Sequence, residues 1–171
     1  MIVALTGFMM CGKSTYGRAA AQALGWDFLD LDDHIVPGTA PGKIIRTRGE
    51  EAFRQLETEA LDRVLARQGD CILALGGGTV MRAQNRDLLR GNCRVIWLKA
   101  TLEESVFNPE WAYMTASRPL LAGGDREKIT KLWESRIPVY ESVADYTLVT
   151  SGLAPETIVD TLATIARSFI R

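Results

Sequence analysis

Gly7-Phe8-Met9-Met10-Cys11-Gly12-Lys13-Ser14-Thr15 fits the phosphate-binding loop, a glycine and four residues of any kind before Gly-Lys-Ser/Thr. The flanks agree with that reading. An apolar run, Ile2 to Leu5, predicts a strand over 2–6, and the small residues from Ser14 to Leu24 predict a helix that Gly25 would cap. Such a loop works because a strand delivers it and a helix N-terminus receives the phosphate on unpaired backbone N–H groups. Gly7 and Gly12 permit backbone angles and close approach that a side chain would block. Lys13 would reach the terminal phosphates of a nucleotide, and the Ser14 hydroxyl would ligate magnesium.

Downstream, strands and helices alternate. Strands are expected at 27–31, 71–75, 95–99 and 146–149, with helices over 50–67, 81–89, 126–136 and 156–169. Phe53, Leu56, Ala60 and Val64 form one helical stripe, while the segments 37–42 and 108–124 are aperiodic. This alternation predicts an α/β fold, a parallel sheet with helices on both faces and ligands at the carboxyl ends of the strands. A chain of 171 residues suits one such domain. Composition is ordinary for a globular protein, 47% hydrophobic and 24% charged. A net charge of −1 gives no general attraction to nucleic acid or membrane, so an anion site must be local. Cys11, Cys71 and Cys93 form no CxxC pair and read as reduced thiols. Cys11 is either open to alkylation with loss of nucleotide binding or simply a small residue the loop tolerates. With no leader-like start and no apolar run near ~18 residues, a cytoplasmic location is expected.

Several polar residues suit chemistry beside such a loop. Asp30 and Asp32, two apart at the end of the second strand, would share one face. One could hold magnesium through water and the other could orient or deprotonate a hydroxyl; alternatively they begin a turn, with Asp33 as helix cap. Arg54 and Glu57 are three apart on a helix, an ordinary surface pair or an arginine held to grip an anion. Gly76-Gly77-Gly78 ends the third strand as a tight turn or as a place where backbone meets ligand. Arg118 lies in the second aperiodic segment, where a flap could swing it over a phosphoryl group. Arg136 precedes Ile137-Pro138, where the proline should end the helix. Either arginine could equally be solvated surface. His34, the sole histidine, carries no assigned role.

Taken in order, the loop, Asp-x-Asp at 30–32, Gly-Glu-x-x-Phe-Arg-x-x-Glu at 49–57, the triple glycine, Arg-Pro-Leu at 118–120 and Arg-x-Pro-x-Tyr at 136–140 closely resemble the shikimate kinase family. The resemblance spans nearly the whole chain. It implies a three-layer P-loop kinase fold over 1–171, a five-stranded parallel sheet of order 2-3-1-4-5, a substrate-binding segment at 32–60 and a mobile lid at 108–124. It further implies ATP bound by Met10, Cys11, Gly12, Lys13, Ser14, Thr15 and Arg118, with Mg2+ held by Ser14 and by Asp30 through water. Asp32, with Lys13 and Arg118, would be catalytic. Asp32, Arg54, Gly76, Gly77, Gly78 and Arg136 would bind shikimate, and Glu57 would orient Arg54. The expected partners are shikimate and ATP only, with no nucleic acid or membrane, on a monomer. Met10 stands where many members carry a glycine, the lid lacks the arginines usual there, and 37–42 departs from a helical start. The rivals are a gluconate- or nucleoside-monophosphate-type kinase and a non-catalytic nucleotide-binding module. No Asn-Lys-x-Asp guanine signature occurs, which favours ATP over GTP.

Overall fold

The computed structural model describes residues 1–111 and 125–170. Five parallel strands form one sheet: β1 (Ile2–Thr6), β2 (Asp27–Asp30), β3 (Cys71–Ala74), β4 (Arg94–Lys99) and β5 (Tyr146–Val149). Their order is β2-β3-β1-β4-β5, as the family resemblance implied. β1 lies at the centre, with Val3 beside Ile72 on one side and Ala4 beside Val95 on the other. All five of its residues are buried, which is why its sequence is apolar without alternation as far as Thr6.

The two faces of the sheet take alternate residues. Ile2, Ala4, Leu73 and Trp97 pack toward α4 (Glu50–Leu65), α5 (Ala83–Asn92) and α6 (Arg126–Val143). Val3, Leu5, Ile72 and Leu98 pack toward α1 (Lys13–Leu24) and α7 (Pro155–Ser168). Helices therefore cover both faces, and the loops at the carboxyl ends of β1, β2 and β3 open on one edge. No helix among the described residues is long and apolar enough to cross a membrane.

Three local expectations are corrected. Asp32 is not on β2, because the strand stops at Asp30 and α2 (Leu31–Ile35) starts at once. Asp30 itself is the cap: its Oδ1 accepts the Asp32 N–H at 3.2 Å, the role that the alternative turn reading gave to Asp33. The segment 37–42 is only partly irregular, since α3 (Pro41–Arg48) begins inside it with Pro41 in the first turn. Proline suits that position, where its missing N–H has no partner to lose. Finally, α6 does not end at Arg136 but runs through Pro138 to Val143. Pro138 and Glu134 are both exposed, so the carbonyl that Pro138 cannot serve is left on the water side. The continuation places Arg136 and Tyr140 one turn apart on a single face.

Candidate active site

The phosphate loop joins β1 to α1 and encloses Lys13. Gly12 caps α1 with φ 90° and leaves its first turn without a side-chain cap. Those amides are free to meet an anion. A Cβ on Gly12 would lie 2.3 Å from the Tyr16 ring, so this glycine is required by both angle and space. Met10 adopts φ 63°, the left-handed region, without being glycine. The loop thus keeps the turn that glycine usually makes, at a strain of about 1 kcal/mol, while Met10 packs on the core.

Lys13 is only 9% exposed. Its Nζ donates to the carbonyls of Gly7 (2.9 Å) and Phe8 (2.8 Å), folding back over its own loop. Cys11 Sγ lies 3.7 Å from the same Nζ and is buried, which limits its access to alkylating reagents. Ser14 Oγ donates to Asp30 Oδ2 at 2.6 Å, pairing two hard oxygen donors where α1 meets β2. A magnesium ion favours such oxygens, with waters and phosphates completing the shell, so these residues fit it.

A cleft of about 440 Å³ runs from this loop to Thr150, Gly152 and Leu153 beyond β5. Glu104 lines it and joins its walls, accepting the Gly152 N–H and the Thr101 hydroxyl, each at 2.9 Å. The Ser151 hydroxyl, then these donors, hold the Glu104 carboxyl below its ordinary range.

A second cavity of about 370 Å³ adjoins the first, the two sharing Met9, Asp32, Gly76 and Gly77. Arg54, Arg136 and Glu57 line it. Arg54 Nη1 donates to Glu57 Oε2 at 2.9 Å, and Glu57 is 1% exposed. The second Glu57 oxygen accepts the Thr79 hydroxyl at 2.7 Å. A carboxylate so buried needs both partners. The expected Arg54–Glu57 pair is therefore an internal fixture and not a solvated surface contact.

The triple glycine is explained by this packing. A Cβ on Gly78 would fall 2.5 Å from Arg54 Nη2, and one on Gly76 would fall 2.9 Å from Glu57 Oε1. Side chains here would evict the ion pair. Gly77 O accepts from Arg136 Nη1 at 3.2 Å and from the Tyr140 hydroxyl at 2.5 Å. Lys13, Asp32, Arg54, Glu57, Gly77 and Arg136 thus converge on one edge of the sheet. Arg118 and most of the expected lid lie outside the described residues. Thr79, Glu104 and Tyr140 were not foreseen as site residues. Thr79 follows the glycines directly, but the Tyr140 spacing has meaning only once α6 is known to pass Pro138.

Fold and site together define a P-loop kinase, with a cleft at the phosphate loop opening beside an arginine-lined cavity. The shikimate kinase family model matches residues 9–166. A shikimate kinase of Streptomyces coelicolor (strain ATCC BAA-471 / A3(2) / M145) is 40% identical over 159 residues, covering 92% of this chain and 90% of its own. One of Marinomonas sp. (strain MWYL1) is 39% identical over 160 residues, covering 91% and 86%. The structure of shikimate kinase from Acinetobacter baumannii in complex with shikimate superposes with a TM-score of 0.87 at 32% identity, covering 98% of this chain and 93% of that one. This chain belongs to the shikimate kinase family.

Proposed function

We infer that the protein transfers the γ-phosphoryl group of ATP to the 3-hydroxyl of shikimate, giving shikimate 3-phosphate and ADP, a step toward aromatic amino acids. The observation that carries this is the junction of the two cavities at Asp32 and Gly77, with Lys13 on one side and Arg54 and Arg136 on the other. Shikimate offers one carboxylate and vicinal hydroxyls, which two arginines and an aspartate complement.

In this reading the loop N–H groups from Met10 to Thr15 and the Lys13 ammonium hold the ATP phosphates. Lys13 must leave the Gly7 and Phe8 carbonyls to do so. Arg54, oriented by Glu57, and Arg136 clamp the acceptor carboxylate, and the backbone of Gly76, Gly77 and Gly78 walls its ring. Asp32 accepts the proton of the 3-hydroxyl as its oxygen bonds to phosphorus and the bond from the β,γ-bridging oxygen to phosphorus breaks, leaving the electron pair on ADP. Arg118, on a lid over 108–124, neutralises charge on the transferred group. Bound Mg2+, held by Ser14 and by Asp30 through water, would neutralise β- and γ-phosphate charge. Positioning and charge neutralisation supply the catalysis. The chain acts as one kinase domain with its acceptor segment at 32–60, as a cytoplasmic monomer without nucleic acid or membrane partners.

A panel of acceptors with coupled ADP detection tests this. Shikimate should release ADP far faster than gluconate or CMP. Equal rates on all three would overturn the assignment.

A further inference from the structure

Three successive glycines have no side chains to hold them and are the most permissive backbone available, yet Gly76 and Gly77 line both cavities and Gly78 lines the second. Something else must fix them. At one end, the Thr79 N–H donates to Gly76 O at 3.1 Å and its hydroxyl reaches Glu57. At the centre, the anchor is Tyr140. This residue is 1% exposed, its ring lies 5.9 Å from that of Trp97, and its hydroxyl donates to Gly77 O.

We propose that Tyr140 is a positioning residue for the acceptor: its hydroxyl fixes the Gly77 carbonyl and, through it, both the Gly77–Gly78 peptide and the Arg136 guanidinium. The described chain has no cis peptide. With Gly77 O directed at α6, the Gly78 N–H is therefore directed away from that helix. The carbonyl has two lone pairs, and its two donors come from one helix face a turn apart. Arg136 spends one of its five N–H donors on this oxygen, and the remaining fork is left for an anion. Its tilt depends on an oxygen that glycine alone would not hold. Burial raises the Tyr140 phenol above its ordinary pKa, so it stays a donor at working pH.

The proposal rests on the acceptor assignment above, and the experiment separates the two. Tyr140→Phe removes only the hydroxyl; it adds no volume, and Gly77 O keeps Arg136, so the variant should fold. With shikimate and ATP varied in turn, the KM for shikimate should rise about fivefold to tenfold, ~1.0–1.4 kcal/mol at about 1.4 kcal/mol per tenfold. The KM for ATP should stay within about twofold. Trp97→Phe loosens the ring packing but keeps the hydroxyl, so it should lower the melting temperature without raising the shikimate KM. An unchanged shikimate KM in Tyr140→Phe, an equal rise for both substrates, or the same rise in Trp97→Phe would each overturn the proposal and leave Tyr140 a packing residue. A wild-type chain inert toward shikimate would instead sink the functional assignment.

Discussion

The two halves of the site are built in opposite ways. On the nucleotide side, the groups that should meet phosphate and metal are occupied by the chain itself: Lys13 sits on the Gly7 and Phe8 carbonyls, and Ser14 on Asp30. On the acceptor side, Arg54 and Arg136 are already braced by Glu57 and Gly77, and these by the Thr79 and Tyr140 hydroxyls. One half must exchange internal partners for ligand, and the other need only receive it. The difference follows from their materials. A buried ammonium such as Lys13 must take its hydrogen bonds from the chain until a phosphate replaces them, whereas long arginine side chains lose rotamer freedom on binding unless held beforehand.

The largest effect should come from Lys13→Met. It removes the ammonium on which charge neutralisation depends, so kcat should fall by ~10²–10³ or more. Shikimate binding, followed by intrinsic fluorescence, should change less than about twofold. A comparable loss of shikimate binding would show that the halves are not separately built. Arg54→Ala ranks next and acts on the other half. Losing a charge-assisted contact worth ~1.5–3 kcal/mol weakens shikimate by one to two decades, with ATP nearly unaffected. The same change strands the Glu57 carboxylate at 1% exposure with only Thr79, so thermal unfolding should also show about 1–3 kcal/mol of lost stability. Glu57→Gln sharpens the contrast. The amide oxygen still accepts one hydrogen bond, and Arg54, 17% exposed and 3.6 Å from Glu50, is not left buried and unpaired. Shikimate KM should rise about threefold to tenfold while stability falls less than in Arg54→Ala. The reverse stability order would contradict the bracing argument.

The phosphate-loop half was legible in the sequence because the groups it presents are mostly backbone, and backbone geometry follows from glycine spacing, a preceding strand and a following helix. Gly7, Gly12 and Lys13 suffice for that. The central strands were equally plain, since burial on both faces leaves Ile2–Thr6 and Cys71–Ala74 uniformly apolar apart from Thr6. The acceptor half was legible only as motifs. Which arginine is braced, and by what, depends on contacts across 22 residues from Glu57 to Thr79 and 63 from Gly77 to Tyr140. Two local rules also misled. Proline ends helices as a rule, but Pro138 lies on the wet side of α6 and does not. Acidic pairs two apart share a face on a strand, but Asp30 caps the helix that carries Asp32. The left-handed angle at Met10 shows a third limit, since the loop's shape persisted where its usual residue did not.

The smallest effect should lie at Glu104, which sequence pattern gave no reason to single out. Its carboxylate ties Gly152, on the far wall of the nucleotide cleft, to Thr101, the residue after the loop's first position beyond β4. Because its folded pKa is depressed, chiefly by the Ser151 hydroxyl, the tie contributes above the ordinary carboxylate pKa and is lost as pH falls through the lowered value. Near neutral pH it is fully formed. Glu104→Gln keeps the shape and one acceptor but removes the charge, and the site is solvated, so the ATP KM should rise only about twofold, with shikimate KM unmoved. The ratio of variant to wild-type ATP KM should then fall toward one as the pH is lowered below the ordinary carboxylate range, since protons taken up elsewhere in the site and on ATP affect both proteins alike. A shift in shikimate KM instead would place Glu104 in the braced half and break the division between the two.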